Sequence, residues 1–254
     1  MVCIDMGWIM DYREVIKNQA IFMKCSQYYT FLETFGESHS FQTFSDKQGA
    51  KKSLIKQFHG TIRQHFHELA ELNRKGAGVF FTVNQTDLLG RTTRHINQVR
   101  AVFIDLDGTP LPAKFDLQPH LIVNTSPKKY HCYWLVSDMP LESFTLYQQA
   151  LAEKFDADPK VKDLPRVMRV AGFYHNKNKP FPIKIIKKLE RNPYNREQLK
   201  VQLGLRRPKT HKIVLDKTYK HTTTNFSYGA GEGDRHEKLS LIHISEPTRQ
   251  AEIS

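Results

Sequence analysis

The chain has 254 residues, a formal net charge of +12 and 39% hydrophobic residues, which is typical of a globular protein with a substantial core. Its three cysteines are scattered and form no CxxC pair, which argues against a disulfide framework or a cysteine zinc site. No apolar run reaches membrane-spanning length and no cleavable leader pattern is present, so we expect an intracellular protein.

The positive charge is concentrated towards the C-terminus. Residues 183–220 contain twelve Lys or Arg against three Asp or Glu. A basic extension of this kind indicates a polyphosphate partner such as nucleic acid, although a solvated charged face produces the same pattern.

Hydrophobic periodicity predicts mixed helices and strands in the first half of the chain. We expect a short helix at 28–35, a strand at 40–44, a long helix at about 53–74 and a strand at 77–83. Gly60 lies inside the long helical pattern and marks a point where it would divide in two.

The second half begins with an apolar segment from Val99 to Asp105, which predicts a central strand. The elements expected after it are strands at 121–124 and 131–136, an amphipathic helix at 141–155, strands at 167–170 and 182–186, and a helix at 195–203. This order predicts an α+β fold, with an antiparallel sheet backed by helices, rather than a doubly wound parallel sheet.

Two carboxylates, Asp105 and Asp107, lie at the end of the apolar segment, just before the turn residues Gly108 and Pro110. Alternate residues of a strand point the same way, so both acids share one face. Two anions this close repel each other unless a cation lies between them, and oxygen ligands favour Mg²⁺ or Mn²⁺ over zinc. The pair predicts half of a metal site; the alternative is one turn residue beside one solvated acid.

The segment SPKKYH places Ser126, Lys129 and His131 between two predicted strands. With Lys128, the loop offers a hydroxyl, two ammonium groups and an imidazole, which together suit the phosphates of a nucleotide. A histidine beside aromatic residues is equally typical of a hydrogen-bonded core group, so both interpretations stay open.

The segment DLPRVMR offers Asp163 as a third carboxylate, with Arg166 and Arg169 three residues apart. On a strand, these two arginines would face opposite ways, so only one would reach a substrate. A structural Asp–Arg pair is the alternative. In GFYHNKN, His175 and Lys177 are either phosphate contacts or ordinary loop residues.

Four segments in order, GAGVFFTVNQTD, VRAVFIDLDGTPL, IVNTSPKKYHCYWLV and DLPRVMRVAGFYHNKNKPF, resemble the archaeo-eukaryotic primase superfamily, and most closely its RepB-type primases of plasmids and phages. The likeness runs from about Phe41 to Ile186. The family's motif residues fall on Asp105 and Asp107 (acid-x-acid), on Ser126 and His131 (Ser-to-His), and on Asp163 as the third acid, with Asp158 the weaker candidate.

The resemblance implies an N-terminal αβ unit joined to a catalytic unit related to the RNA-recognition fold, and a DNA primase that performs template-directed nucleotidyl transfer. It implies that Asp105, Asp107 and Asp163 hold two Mg²⁺ or Mn²⁺ ions. The residues it assigns to nucleotide binding are Ser126, Lys129, His131, Arg166, Arg169 and His175. The implied partners are single-stranded DNA template, NTP or dNTP and a replicative helicase, fused or separate, in the cytoplasm of a bacterial or phage-infected cell.

We expect four segments along the chain. They are 1–26 without a clear pattern, 27–190 as the catalytic domain, 191–230 as a basic helix and linker, and 231–254 as the start of a helical domain. From about residue 240, SLIHISEPTRQAEIS resembles translated sequencing-adaptor read-through, for which we expect no packed structure.

Two other functions are compatible with parts of the sequence. FIDLDGT nearly matches the nucleophile motif of haloacid dehalogenase-type phosphatases, in which Asp105 would attack phosphorus and Asp107 would act as acid and base on a parallel sheet. A non-catalytic DNA-binding replication module would keep the basic surface without binding a metal.

Overall fold

The computed structural model describes residues 27–47 and 52–206, and two four-stranded antiparallel sheets organise them. The strands are β1 (Ser38–Ser45), β2 (Gln57–Thr61), β3 (Ala77–Thr82), β4 (Gln85–Thr86), β5 (Ile96–Gln98), β6 (Ala101–Asp107), β7 (Leu121–Ser126), β8 (Lys129–Leu135), β9 (Val167–Arg169), β10 (Tyr174–His175), β11 (Phe181–Pro182) and β12 (Lys184–Lys188). The helices are α1 (residues 27–33), α2 (Ile62–Arg74), α3 (Leu141–Phe155) and α4 (Arg196–Gln202).

The first sheet has the strand order β2-β1-β3-β9 and buries one face against helices. Phe41 pairs with Phe81 across β1 and β3, and both side chains are fully buried. They share one core cluster with Phe31 of α1 and Leu69 of α2. Because side chains alternate along a strand, the intervening residues of β1 and β3 lie on the opposite face.

The second sheet has the order β12-β7-β8-β6 and belongs to the same core. The buried ring of Tyr133 on β8 lies 5.8 Å from Phe31, 5.2 Å from Phe35 and 6.0 Å from Phe103 between ring centroids. On the other face of β8, Trp134 stacks on Phe155 of α3 at 5.6 Å. The core therefore runs without interruption from the first sheet to the second.

The predicted α+β class is confirmed, and most predicted elements are present within a few residues of their expected limits. The helix expected at 53–74 is wrong in its first half, where β2 pairs with β1. Gly60 has a φ of +138°, which lets the chain leave β2, and Thr61 then caps α2 with Gln64 in a reciprocal capping box. Because β2 and α2 follow each other without a connecting loop, the apolar residues of the two elements together have the spacing of one long helix.

The strand expected at the centre of the sheet is also placed differently, because β6 is an edge strand. Its outer side is nevertheless covered. The Gln148 amide accepts a hydrogen bond from Phe103 N at 2.9 Å and donates to Phe103 O at 3.0 Å, and Asp158 N donates to Asp105 O at 3.1 Å. A continuous apolar sequence fits this edge because it is as buried as an interior strand.

Helix α4 lies within the segment expected to be a basic helix and linker. Leu199 of this helix and Leu203, its C-cap, are fully buried in the core cluster. The expectations for 1–26 and for the C-terminal tail concern residues outside the described ranges. Within those ranges, no helix combines the length and apolar composition that crossing a lipid bilayer requires.

A buried His39–Arg100 contact makes the stability depend on pH. Arg100 donates to His39 Nδ1 at 3.2 Å, and burial, reinforced by the Arg100 charge, lowers the pKa of His39 from 6.5 to about 3. His39 therefore stays neutral in the folded chain but is protonated in the unfolded chain below pH 6.5, so its contribution to stability is lost as the pH falls.

We expect His39 to account for about 2 kcal/mol of lost unfolding free energy between pH 7 and pH 5. Urea unfolding of His39→Gln should show a correspondingly flatter pH dependence than the wild type. His67→Gln, at an exposed position of α2, is the control and should follow the wild type. Parallel curves for wild type and His39→Gln would contradict the prediction.

Candidate active site

The pairing of β6 with β8 brings four of the predicted site residues together. In this register, Asp105 faces His131 and Asp107 faces Lys129. The Asp107 carboxylate forms an ion pair with the Lys129 ammonium group, and His131 Nε2 lies 3.7 Å from Asp105 Oδ1. The side chains of Asp105 and Asp107 are 27% and 53% exposed, so both carboxylates are open to a ligand.

His131 is buried between these acids and the aromatic core. Its Nδ1 lies 3.1 Å from the hydroxyl of Tyr133. Burial lowers the pKa of His131, while the nearby Asp105 charge acts in the opposite direction. The ring is therefore neutral at pH 7, and one nitrogen carries a proton that can be donated.

The turn between β7 and β8 positions Ser126 and Lys129. Lys128 adopts a φ of +62°, and the Asn124 side chain donates to the carbonyl oxygens of Ser126 at 2.8 Å and Lys129 at 3.0 Å. This side-chain bridge closes a tight two-residue turn. It holds a hydroxyl and an ammonium group beside the end of β6.

A pocket of about 490 Å³ opens next to this turn. Its lining includes Ser126, Lys129, His175, Lys177, Asn178, Lys179 and Phe181. His175 Nδ1 lies 3.2 Å from Thr125 O, while its Nε2 is buried and has no hydrogen-bond partner among the described residues. Burial, followed by the charge of Arg169, lowers the pKa of His175. The pocket thus combines three lysines with hydroxyl and imidazole groups, which suits a phosphate chain.

Asp163 is not held next to the other two acids by any contact in the described part of the chain. Its carboxylate forms an ion pair with Arg166, which also donates to Lys160 O. Within residues 27–47 and 52–206, no three His, Cys, Asp or Glu side chains are grouped closely enough to bind a metal on their own. Asp158 is the acid whose main chain touches β6, through its bond to Asp105 O.

Arg169 pairs with Asp46 and not with Asp163, the acid of its own segment DLPRVMR. Its guanidinium forms a 2.7 Å ion pair with Asp46, which is 2% exposed, and lies 4.5 Å above the ring of Phe80. After burial, its charge is a further cause of the lowered pKa of both His131 and His175, so it lies near these rings. Arg166 and Arg169 thus have separate acidic partners.

Sequence reasoning missed three residues that contribute to this site. Lys179 and Phe181 line the phosphate-sized pocket, and the alternating basic pattern of NKNKPF is a signal that was available. Gln148 positions β6, and its signal was a glutamine one turn after Phe144 on the apolar stripe of α3.

Comparisons with known proteins identify a family and a fold. The family described as the RepB DNA-primase N-terminal domain matches residues 91–221. No match is found among curated proteins.

Solved structures with the same fold include three primase chains. The catalytic domain of primase RepB′ in complex with initiator DNA is 20% identical with a TM-score of 0.53, over 71% of this chain and 92% of that chain. Primase RepB′ is 19% identical with a TM-score of 0.53, over 71% of this chain and 61% of that chain. The AEP domain of the cyanophage S-2L primase-polymerase is 18% identical with a TM-score of 0.56, over 70% of this chain and 97% of that chain.

These likenesses confirm the two-part fold expected from the sequence. The phosphatase alternative finds no support, because it requires a parallel sheet and β6 belongs to an antiparallel one.

Replacing Gln148 with leucine should destabilise the protein by about 3 kcal/mol, because buried main-chain groups of Phe103 and Val161 would lose their partners. Chemical denaturation measures the loss. The neighbouring Gln149→Leu on the same helix is the matched control, with no comparable loss expected. Equal stability of Gln148→Leu and wild type would show that the amide does not hold the edge of β6.

Proposed function

This chain belongs to the family of RepB DNA-primase N-terminal domains, which matches residues 91–221, and we propose that the protein makes primers by template-directed nucleotidyl transfer on single-stranded DNA. The coarser assignment, a primase enzyme of the nucleotidyltransferase class, follows from the family. The observation that carries the finer proposal is the β6–β8 register, which puts two open carboxylates opposite an imidazole and an ammonium group.

Asp105 and Asp107 are suited to a divalent cation. Both offer carboxylate oxygens on one face of β6, and Mg²⁺ is usually held by one or two carboxylates together with substrate phosphates. The same donors suit Mn²⁺. When bound, the cation would supply Lewis-acid stabilisation of charge on the transferred phosphoryl group.

The pocket beside the β7–β8 turn would hold the triphosphate of an incoming NTP or dNTP. Ser126, Lys129 and His175 would contact its oxygens, with Lys177 adding charge. Lys129 now neutralises Asp107, and a cation that binds this carboxylate would displace the ammonium group, which could then turn towards the triphosphate. His131, neutral and anchored at Tyr133, would donate a hydrogen bond to phosphate without adding another positive charge.

In the proposed reaction, the 3′-hydroxyl oxygen of the primer attacks the α-phosphorus of the nucleotide and the bond to pyrophosphate breaks. Residues near this centre act by position and charge. Arg169, fixed by Asp46 near His131, would stabilise developing negative charge, whereas Arg166 would do so only if its pair with Asp163 opens.

The DNA partner is supported from two sides. The similar RepB′ catalytic domain was solved with initiator DNA, and β12 presents the exposed Lys184, Lys187 and Lys188 at the edge of the second sheet. Such lysines would contact a template backbone without reading its sequence. A replicative helicase as partner stays a prediction.

Primer synthesis on a single-stranded template, with labelled NTPs and dNTPs and Mg²⁺ or Mn²⁺, tests this function. Asp107→Asn keeps the side-chain volume but removes the charge, and should lower the rate by about 10²-fold or more. Asp116→Asn, at an exposed acid paired with Lys154, is the control and should keep full activity. A wild type without product would favour the non-catalytic DNA-binding module.

The same assay separates the two candidates for a third acid. The bond between Asp158 N and Asp105 O favours Asp158, although the family motif was assigned to Asp163. We expect Asp158→Asn to raise the Mn²⁺ concentration needed for half-maximal rate, and Asp163→Asn to leave it nearly unchanged. The reverse result would place Asp163 in the site.

A further inference from the structure

Helices do not cover the second face of the first sheet. Ser40, Gln42 and Thr82 on this face are nevertheless buried, and Ser40 bonds to Thr86 of β4 while Gln42 bonds to Arg91 of the β4–β5 loop. On this polar face, as we name it, β1 contributes Ser40, Gln42 and Phe44, β3 contributes Phe80 and Thr82, and β9 contributes Arg169. These residues alternate with Phe41 and Phe81, which point into the core. A sheet face that carries polar and aromatic side chains instead of aliphatic ones is not explained by core packing.

A continuous row of rings and guanidinium groups runs over this face. Three of its four side chains, Phe44, Phe80 and Arg169, come from the sheet, and the fourth, Arg91, comes from the β4–β5 loop. The Arg91 guanidinium lies 5.8 Å from the Phe44 ring centroid, Phe44 lies 5.5 Å from Phe80 at 70°, and Arg169 lies 4.5 Å from Phe80. All four side chains are half-buried. Gly78 leaves the room for this row, since a Cβ there would lie 2.5 Å from Arg169 Nη1 and 2.8 Å from the Phe80 ring.

The loop between β4 and β5 brings Arg91 to this row. Its Gly90 carbonyl accepts from the Ser40 hydroxyl at 3.4 Å, and Arg91 Nε donates to Gln42 Oε1 at 2.8 Å. Among the described residues, no carboxylate forms an ion pair with Arg91; its direct partners are the Gln42 amide and the Phe44 ring, and the charge of Asp163 acts on it only from a greater distance. Leu89 at the tip of the same loop is 81% exposed.

This face also adjoins the candidate active site. Asp46, the partner of Arg169 at one end of the row, also accepts from the main-chain N–H of Asn176, which directly follows His175, a residue that lines the phosphate-sized pocket. Thr82 Oγ1 on this face and Arg166 Nε just before β9 are buried without a hydrogen-bond partner in the part of the chain that the structure describes. An unsatisfied buried polar group calls for an explanation such as a functional role or a bound partner, and here two such groups lie near the half-buried rings of the row.

We propose that the polar face of the first sheet binds the template strand, with a base stacked on Phe44 and a backbone phosphate on Arg91. Single-stranded nucleic acid is bound by this combination of aromatic rings and arginines, because every base has a face to stack and every link has a charge. Arg169, which is paired with Asp46 and lies over the Phe80 ring, supports that ring at the end of the row towards the candidate active site. The assignment rests on the proposed function, to which it adds the path of the template.

Fluorescence anisotropy of a labelled single-stranded oligonucleotide, in buffer without divalent cations or nucleotides, tests binding apart from catalysis. Phe44→Leu removes the ring but keeps an apolar side chain, and Arg91→Gln removes the charge. Each should weaken DNA binding by about tenfold. Tyr29→Ala is the matched control, because Tyr29 also carries an arginine, Arg63 at 5.7 Å, but lines a different pocket.

The proposal is overturned if folded Phe44→Leu and Arg91→Gln bind the oligonucleotide with wild-type affinity. It is also overturned if a separate titration shows that these variants have lost affinity for nucleotide only. If Phe44→Leu does not fold, as judged by circular dichroism, Arg91→Gln and Leu89→Ser decide the question. Asp116→Asn, at an exposed acid outside both sites, should bind DNA like the wild type. If the wild type makes no primers but loses DNA affinity when Phe44 is replaced, only the proposed function is refuted. If the wild type makes primers but Phe44→Leu binds DNA as well as the wild type, only this inference is refuted.

Discussion

The register between β6 and β8 is the constraint on which the rest of the site depends. Because Asp105 pairs with His131 and Asp107 with Lys129, two acids and two bases converge at one strand end. A shift of one residue would turn these side chains to the opposite face of the sheet. The fully buried Tyr133 and Trp134 hold β8 in that register against β6, and the tight turn at Ser126 fixes the pairing of β8 with β7.

An edge strand is an unusual place for a pair of candidate catalytic acids, since no neighbouring strand holds its outer side. Here, α3 supplies Gln148 and the loop after it supplies the main chain of Asp158, so that side-chain and loop bonds replace a missing strand. This arrangement buries the Gln148 amide, so the loss of any of its hydrogen-bond partners would be destabilising. It also holds the loop after α3, which carries Asp158, against the outer side of β6.

The sequence was sufficient for features that depend on local pattern. Alternation and apolar runs located α3, β3 and the β7–β8 pair, and the i, i+2 spacing correctly put Asp105 and Asp107 on one face. It was not sufficient where long-range pairing decides the structure. The β2 segment was assigned to a helix because its pairing with β1 has no local signal, and Asp46, the partner of Arg169, lies 123 positions away.

The central claim is that Asp105 and Asp107 form a cation site, and calorimetric titration with Mn²⁺ in the absence of nucleotide tests it most directly. The account predicts that the wild type and Asp116→Asn bind Mn²⁺ with equal affinity, and that Asp105→Asn binds it at least about tenfold more weakly. Equal Mn²⁺ binding by Asp105→Asn and the wild type would contradict it.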